Sequence, residues 1–288
     1  MVKSHAVLSG KDKVIRCIIF VCLTLFSLLM LYPVVYIIMG SFKENAELLL
    51  GGTHILPRHF VLENYVQAWK AANFARYTFN SIYISVGVML LSIFATSMAG
   101  YVFARKQFPF KELLYSLYIA FMFVNVGSVT LRPLFELAVK VKMNTSLLSV
   151  IFISAGTGQA TYMFLARGFV QSIPKEIDEA AKIDGCSFFQ IYYRILLPLL
   201  QPIIATIGVL SFRGGWNEYI MPLVFTMSND KLRPLTVGVV MLKGSGDGTA
   251  AWNIMFAGAT ISIVPIILIY IFSTKHFMNG MIAGAVKG

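Results

Sequence analysis

Charged side chains are concentrated between Lys175 and Asp184, inside a chain that is otherwise apolar. These ten residues carry four carboxylates and two ammonium groups. Such groups can form ion pairs and charge-assisted hydrogen bonds with another protein surface. Because an apolar chain has little reason to keep a polar, helix-prone segment unless something docks there, we predict a contact site for a soluble partner.

A second group of residues that could do chemistry is Trp216, Asn217, Glu218 and Tyr219, which lie within an apolar stretch. A carboxylate inside a membrane is costly and is a functional candidate by default. Asn217 could hydrogen-bond to the hydroxyls of a sugar, and Trp216 could stack on its apolar face. The alternative is a polar contact between helices, or with a neighbouring membrane protein, that stabilises a helix bundle.

No arrangement of residues in the sequence supports catalysis, nucleotide hydrolysis or metal binding. The four histidines are dispersed, and the sequence has no Ser/His/Asp order and no HExxH motif. It also lacks the phosphate-binding pattern GxxxxGK[ST]. The three cysteines have neither CxxC nor metal-ligand spacing. We therefore predict that the chain is not an enzyme and binds no cofactor or metal.

The composition is that of an integral membrane protein. The 288 residues are 57% hydrophobic and 13% charged, whereas soluble domains carry about 25% charged residues. The net charge of +11 comes from basic residues scattered between apolar runs. We therefore predict contact with anionic membrane lipid and not with nucleic acid.

Six stretches are long and apolar enough for spanning helices, which need roughly 20 residues each. Repeated β-type alternation is absent, so the spans are predicted to be helical. Asn125 and the Arg132-Pro133 pair interrupt the third stretch, and Gly214-Gly215 breaks the fifth. The predicted fold is an all-α membrane protein with six transmembrane helices, at residues 14–40, 78–103, 112–136, 147–170, 199–225 and 252–275.

The distribution of lysine and arginine predicts the orientation in the membrane. The first sixteen residues carry four of them, and the short loop from 105 to 111 carries three in seven residues. Lys140 and Lys142, on the opposite side, weaken this bias. Both termini and the loop between helices four and five are predicted to be cytoplasmic. The predicted segments are a tail (1–13), the first helix (14–40), an extracytoplasmic loop (41–77), a core (78–275) and a C-terminal tail (276–288).

Two short amphipathic helices are predicted within the loop 171–198. Ser172 and Pro174 are typical of a helix start, and Gly185 can supply the left-handed conformation that ends a helix. Apolar residues recur at helical spacing on both sides of this glycine; they are Ile173, Ile177, Ala180 and Ala181 before it, and Phe188, Tyr192, Ile195 and Leu199 after it. The alternative is an ordinary hairpin packed against the ends of its own membrane helices.

The spacing of this loop reads Glu179-Ala180-Ala181, three residues, Gly185, nine residues, then Ile195-Leu196-Leu197-Pro198. It resembles, without departure, the EAA loop of ABC importer permeases. The resemblance implies that the loop sits in a groove of a cytoplasmic ATP-binding subunit. Glu179 would contact a basic group there, the two alanines would allow close docking, and Gly185 would form the turn. The residues implied in ATPase coupling are Glu179, Ala180, Ala181, Asp184, Gly185, Ile195, Leu197 and Pro198.

Other segments resemble carbohydrate-importing permeases of the maltose type. These are residues 142–145, 216–219 and 231–238, and the ending 277–288, which resembles the tail of the second permease subunit. The resemblance implies a multi-pass permease of the cell membrane for a sugar or oligosaccharide, with Trp216, Asn217, Glu218 and Tyr219 along the translocation path. The implied partners are a companion permease, two ATP-binding subunits that hold ATP-Mg, and an extracytoplasmic solute-binding protein.

A glycine-rich segment between helices five and six has two interpretations. Glycine and serine at this density are typical of a flexible linker. In maltose-type permeases, however, the corresponding loop reaches into the binding protein. The resemblance therefore implies contacts from Gly244, Ser245, Gly246 and Asp247.

Two alternative functions stay open at the level of sequence. The chain could be an ABC permease for another solute, such as a peptide, an amino acid or phosphate. From a different class, it could be a membrane-embedded enzyme or sensor whose polar loop recruits a signalling partner. Co-isolation of an ATPase would distinguish transport from the second alternative.

Overall fold

The structure is a computed structural model that describes residues 10–50, 54–124, 127–245 and 250–285. All regular secondary structure within these ranges is helical. The principal helices are Gly10–Gly40 (α1), Asn45–Leu50 (α2), Glu63–Ala71 (α3), Phe74–Arg105 (α4), Lys111–Ala120 (α5), Leu131–Lys140 (α6), Leu147–Gly156 (α7), Gln159–Ser172 (α8), Glu176–Ile183 (α9), Phe188–Leu199 (α10), Gln201–Asn217 (α11), Ile220–Phe225 (α12), Leu235–Met241 (α13) and Trp252–Ala285 (α14).

The helices that are long and apolar enough to cross a membrane agree in part with the predicted spans. Three single helices qualify, at Val14–Gly40, Phe74–Arg105 and Trp252–Ile271. Two pairs of helices also qualify if each pair is counted as one bent span. The chain bends by 56° between α7 and α8 and by 80° between α10 and α11. The described residues therefore contain three to five candidate spans, fewer than the six predicted.

The third predicted span is not one continuous helix. It is divided between α5 and α6, which have ten residues each and are joined through a 3-10 turn at Gly127–Thr130. Pro133 lies in the first turn of α6, where its missing N–H leaves no helical hydrogen bond unmade. Asn125, the other predicted interruption, lies outside the described residues. The proline therefore begins a helix here instead of kinking one.

Helical packing divides the chain into two compact units. The first comprises Met1–Trp69 and Leu242–Ile261, and the second comprises Lys70–Met241 and Ser262–Gly288. In the first unit, the buried side-chain amide of Asn64 donates to the carbonyls of Ser41 and Lys43, both at 2.8 Å. The Asn253 amide donates to Asn64 Oδ1, also at 2.8 Å. Hydrogen bonds thus join the segment after α1 to the start of α14.

In the second unit, α4 packs closely against its neighbours because it presents small residues to them. A Cβ atom added at Gly100 would lie 2.7 Å from Ala166 Cβ in α8. The same atom added at Gly215 in α11 would lie 3.0 Å from Ser85 Cα. Small side chains let helix backbones approach in membrane bundles, where apolar area provides no driving force between helices. This packing fixes α4 as the element against which the polar loop is built.

Candidate functional site

The polar loop folds as a hairpin of two short helices, α9 and α10, between α8 and α11; we call residues 176–199 the hairpin. The predicted helix start at Ser172 is wrong. Ser172 is the last residue of α8, and its hydroxyl donates to the carbonyl of Phe169 at 2.8 Å. Helix α9 begins four residues later, at Glu176, and the preceding Lys175 provides no side-chain cap. Acidic side chains in its first turn stabilise this end through the helix dipole.

Helix α9 has an inner and an outer face. Asp178 and Ala181 lie inward and are 5% and 4% exposed, and Ile177 is half-buried. The outward side chains are exposed and recur at three- and four-residue spacing; they are Glu176, Glu179, Ala180 and Ile183, which we call the outer face. Of the two alanines predicted to allow docking, only Ala180 is therefore accessible. Ala181 packs within the chain's own core.

The turn after α9 has the conformation predicted for Gly185. Its φ is +79°, in the left-handed region where side chains with a Cβ are strained. The Gly185 N–H donates to the Lys182 carbonyl at 3.0 Å, and the Cys186 N–H donates to the Ala181 carbonyl at 2.9 Å. This pair of hydrogen bonds is the Schellman motif. Asp184, the residue before the glycine, is exposed.

Substitution of Gly185 is expected to destabilise the hairpin through its backbone alone. An added Cβ would meet no atom within 4 Å at Gly185 or at Gly168 in α8, but only Gly185 has a positive φ. Gly185→Ala should therefore cost about 1–2 kcal/mol, whereas Gly168→Ala should be neutral or stabilising because alanine favours helix. Thermal unfolding of the two purified variants measures this, and equal melting temperatures would contradict the assigned turn.

The second helix of the hairpin, α10, contains a π-helical turn at Ile191–Leu196. The turn is preceded by a capping box between Ser187 and Gln190. Tyr192 on the predicted stripe is buried, at 6% exposed. Because a π turn holds more residues than an α turn, the buried positions that follow it are Leu196 and Leu200, both 0% exposed. Leu199, predicted to lie on that stripe, is instead 44% exposed. The motif residues Ile195 and Leu197 are half-buried, and Pro198 is exposed.

Aromatic side chains attach α10 to the end of α4. The rings of Tyr101 and Phe188 are stacked with their centroids 4.6 Å apart. The hydroxyls of Ser97 and Tyr192 form a buried hydrogen bond at 2.8 Å. Tyr101 and Tyr192 also share one core cluster with Ala181. Both helices of the hairpin therefore pack on the same end of α4.

A buried ion pair attaches α9 to the last residue of α4. Arg105 Nε lies 2.5 Å from Asp178 Oδ2, and each side chain is 7% exposed. The same guanidinium donates from Nη2 to the carbonyl of Ile173 at 2.7 Å. Arg105 thus holds both the first helix of the hairpin and the segment that leads into it. The sequence shows two opposite charges, but no spacing rule relates residues 73 positions apart.

The structure does not gather Trp216, Asn217, Glu218 and Tyr219 into one pocket. Trp216 is 4% exposed and stacks on Phe212 at 6.0 Å, whereas Asn217 is exposed at the end of α11 and Tyr219 is half-buried. The Glu218 carboxylate accepts from the Met221 N–H at 3.3 Å, at the start of α12. Trp216 and Glu218 thus have structural partners, and Asn217 is the most accessible of the four.

Arg213 is a candidate that the sequence reading missed. It is the only Asp, Glu, Lys or Arg between residues 201 and 217, and its side chain is exposed. The sequence alone could have identified it, because a charged residue in the middle of a predicted span is a functional candidate by default.

The predicted binding-protein segment is described only in part. Gly244 is exposed, and Ser245 ends a 3-10 turn that begins at Leu242. Gly246 and Asp247 lie outside the described residues. Just before Gly244, the Lys243 ammonium lies 4.3 Å from the centroid of the Trp252 ring.

Comparison with known proteins gives consistent matches along the chain. A permease protein of a transporter from Caldicellulosiruptor sp. (strain Rt8B.4), named ORF2, is 36% identical over 93% of this chain and 96% of its own length. The arabinooligosaccharide permease AraQ of Halalkalibacterium halodurans is 30% identical, covering 89% and 91%. The permease AmyC of Thermoanaerobacterium thermosulfurigenes, named for starch degradation products, is 32% identical, covering 91% and 93%.

The fold is also that of a solved transporter chain. It comes from the crystal structure of a bacterial ABC transporter involved in the import of the acidic polysaccharide alginate. The match has a TM-score of 0.79 and 22% sequence identity, and covers 94% of this chain and 99% of that chain. The family model for the binding-protein-dependent transport system inner membrane component matches residues 92–282. This chain therefore belongs to the family of binding-protein-dependent transport system inner membrane components.

Proposed function

We propose that this chain is a permease subunit of an ATP-driven ABC importer for a sugar or oligosaccharide. The relatives named above for arabinooligosaccharides and starch degradation products support this cargo class, as does a diacetylchitobiose permease of Streptomyces coelicolor that is 28% identical. Their names favour a saccharide over the peptide, amino acid or phosphate alternatives. Membership of a transport family leaves no reason to propose an enzyme or sensor.

The hairpin is the observation that carries this function, and we assign its two faces different tasks. The outer face would dock on an ATP-binding subunit, with Glu179 against a basic group and Ala180 allowing close approach. The inner face carries Asp178 and Ala181, which pack on the end of α4. A rigid element held between two partners can transmit closure of one to the other. The shape of the hairpin would depend on four further motif residues, which are Gly185, Ile195, Leu197 and Pro198. These residues would not contact the nucleotide.

The complete importer would contain a companion permease, two ATP-binding subunits that hold ATP-Mg, and an extracytoplasmic solute-binding protein. In this assembly the chain would cross the membrane six times, with the divided helices α5 and α6 forming the third crossing. Both termini and the hairpin would be cytoplasmic. Gly244, Ser245, Gly246 and Asp247 would then face the binding protein, and Asn217 the translocation path.

Purification from membranes tests the proposed function. The tagged chain, expressed with the proteins encoded beside it, should co-purify with an ATP-binding subunit and should support ATP-dependent uptake of an oligosaccharide in vesicles. Replacing the outer-face residue Ile183 by glutamate should release the ATP-binding subunit, because a carboxylate would replace an apolar side chain that is 88% exposed in the chain alone. Uptake that needs no ATP-binding subunit would refute the proposal.

A further inference from the structure

A cavity of 660 Å³ opens at the break in the bent span formed by α7 and α8. Ten helical residues precede the break and fourteen follow it, so it lies near the middle of the span. The end of α5 and the start of α12 also line this cavity. Ligand pockets have volumes of roughly 300–1,000 Å³, so the cavity is large enough to hold part of a saccharide.

The break presents backbone that membrane lipid cannot satisfy. Thr157 has an extended backbone, and Gly158 has a φ of +75°. Both residues and the preceding Gly156 are exposed and line the cavity. At membrane depth, non-helical backbone is tolerated only where it is buried in protein or lines a water-filled cavity. The break therefore indicates a polar space that water or a polar solute can enter.

The polar side chains that line the cavity are uncharged. Among the described residues, the lining includes no Asp, Glu, Lys or Arg, and the hydroxyls of Tyr118 and Thr161 have no hydrogen-bond partner. The Gln159 side-chain amide donates to the Ser92 hydroxyl at 3.2 Å and to the Ala155 carbonyl, which holds this side chain in place. Hydroxyls and an amide oxygen can exchange hydrogen bonds with the hydroxyls of a sugar.

The cavity also has aromatic side chains and adjoins the segment 216–219. Phe121 is 67% exposed, and the ring of Tyr118 is partly exposed, so either ring can stack on the apolar face of a sugar. Met221, in α12, lines the cavity, and its N–H donates to the Glu218 carboxylate at 3.3 Å. The cavity is therefore continuous with residues that we propose for the translocation path.

We propose that this cavity is a saccharide-binding subsite, at which Tyr118, Gln159 and Thr161 form hydrogen bonds with sugar hydroxyls. The subsite would take uncharged sugar rings, because its described lining offers no ionised group to a charged solute. The inference rests on the proposed function, because it assigns a binding site to the same cargo. A segment of the companion permease is the other possible occupant, and the experiment distinguishes the two.

The first test blocks the cavity and measures uptake by the complete importer in proteoliposomes, with the solute-binding protein in excess. The probe is a labelled mixture of neutral oligosaccharides from arabinan and starch. A Cβ added at Gly156 or at Gly168 would meet no atom within 4 Å, so either position can accept a larger side chain. Gly156→Leu should abolish uptake by occupying the cavity, whereas the control Gly168→Leu, outside the cavity, should transport normally.

The second test removes one hydroxyl and keeps the shape of the side chain. Thr161→Val should lower the maximal rate of uptake about 2- to 10-fold, as expected for the loss of one hydrogen bond. ATP hydrolysis stimulated by the loaded binding protein should persist, because the hairpin is unchanged. The matched control is Thr260→Val, at a hydroxyl that donates to the Phe256 carbonyl at 2.9 Å within α14, and it should leave uptake unchanged.

The opposite results would overturn the inference. Normal uptake by Gly156→Leu and Thr161→Val would show that the cargo does not enter the cavity. If Gly156→Leu prevents co-purification of the companion permease, or if Thr161→Val loses ATP hydrolysis in parallel with uptake, the cavity serves assembly and not cargo. Failure of the proposed function is distinguishable, because the unmodified chain would then purify without an ATP-binding subunit.

Discussion

Replacing Arg105 by methionine is expected to abolish coupled uptake, because it leaves Asp178 as an unpaired carboxylate in a buried site. Removing one partner of a buried ion pair costs about 3–5 kcal/mol, and here the pair holds α9 on the end of α4. Asp178→Leu should have a similar effect by stranding the guanidinium. Uptake and ATP hydrolysis are measured in the same proteoliposomes. We expect ATP hydrolysis to continue and uptake to be lost.

The double variant Arg105→Met with Asp178→Leu tests whether the ion pair serves to attach α9 to α4 or whether its charges are themselves required for uptake. Apolar partners of similar size can replace a buried ion pair with little loss of stability, so the double variant should recover uptake that each single variant loses. The matched control is the exposed pair of Arg132 and Glu136, whose side chains are 89% and 58% exposed. Breaking that pair should change stability by less than about 1 kcal/mol. Additive losses in the double variant would contradict the attachment role of the buried pair.

Bulky substitutions at the two adjacent alanines are expected to have different consequences. Ala180→Phe should leave the chain folded, because Ala180 is exposed, and should abolish docking on the ATP-binding subunit. Ala181→Phe should instead destabilise the chain by about 1–3 kcal/mol, because it overpacks a core position that is 4% exposed. Thermal unfolding of the isolated chain and co-purification of the ATP-binding subunit measure the two effects separately.

The pair of variants also tests which face of α9 binds the partner. If Ala181→Phe melts like the unmodified chain while Ala180→Phe unfolds at a lower temperature, the two faces have been assigned the wrong way round. If both variants keep the ATP-binding subunit, the outer face is not its docking surface.

Local sequence signals predicted the parts of the hairpin that depend on neighbouring residues. Gly185 ends α9 as predicted, because a positive φ after a helix is a property of a few adjacent positions. The start of α9 was mispredicted because Ser172 and Pro174 have the residue types of a helix start, yet α8 extends through Ser172. Leu199 was mispredicted because α-helical periodicity cannot anticipate the π turn before it.

Contacts between distant segments were beyond the reach of the sequence. Four helices, α5 to α8, lie between Arg105 and Asp178 in the sequence, so only the packing of α8 and α9 against α4 brings the two residues together. The inward position of Ala181 depends on the same packing, and the motif itself does not distinguish it from Ala180. Arg213 differs from these cases, because its position within an apolar stretch could have identified it without any coordinates.

Site-specific photo-crosslinking from the outer face tests the central claim most directly. A photoreactive amino acid at Ile183, which is 88% exposed, is compared with the same amino acid at Phe79, an exposed position in α4 at 67%. We expect Ile183 to cross-link to an ATP-binding subunit in the assembled importer and Phe79 to give no such product. No cross-link from Ile183, or an equal yield from Phe79, would contradict the assignment of the hairpin as the coupling element.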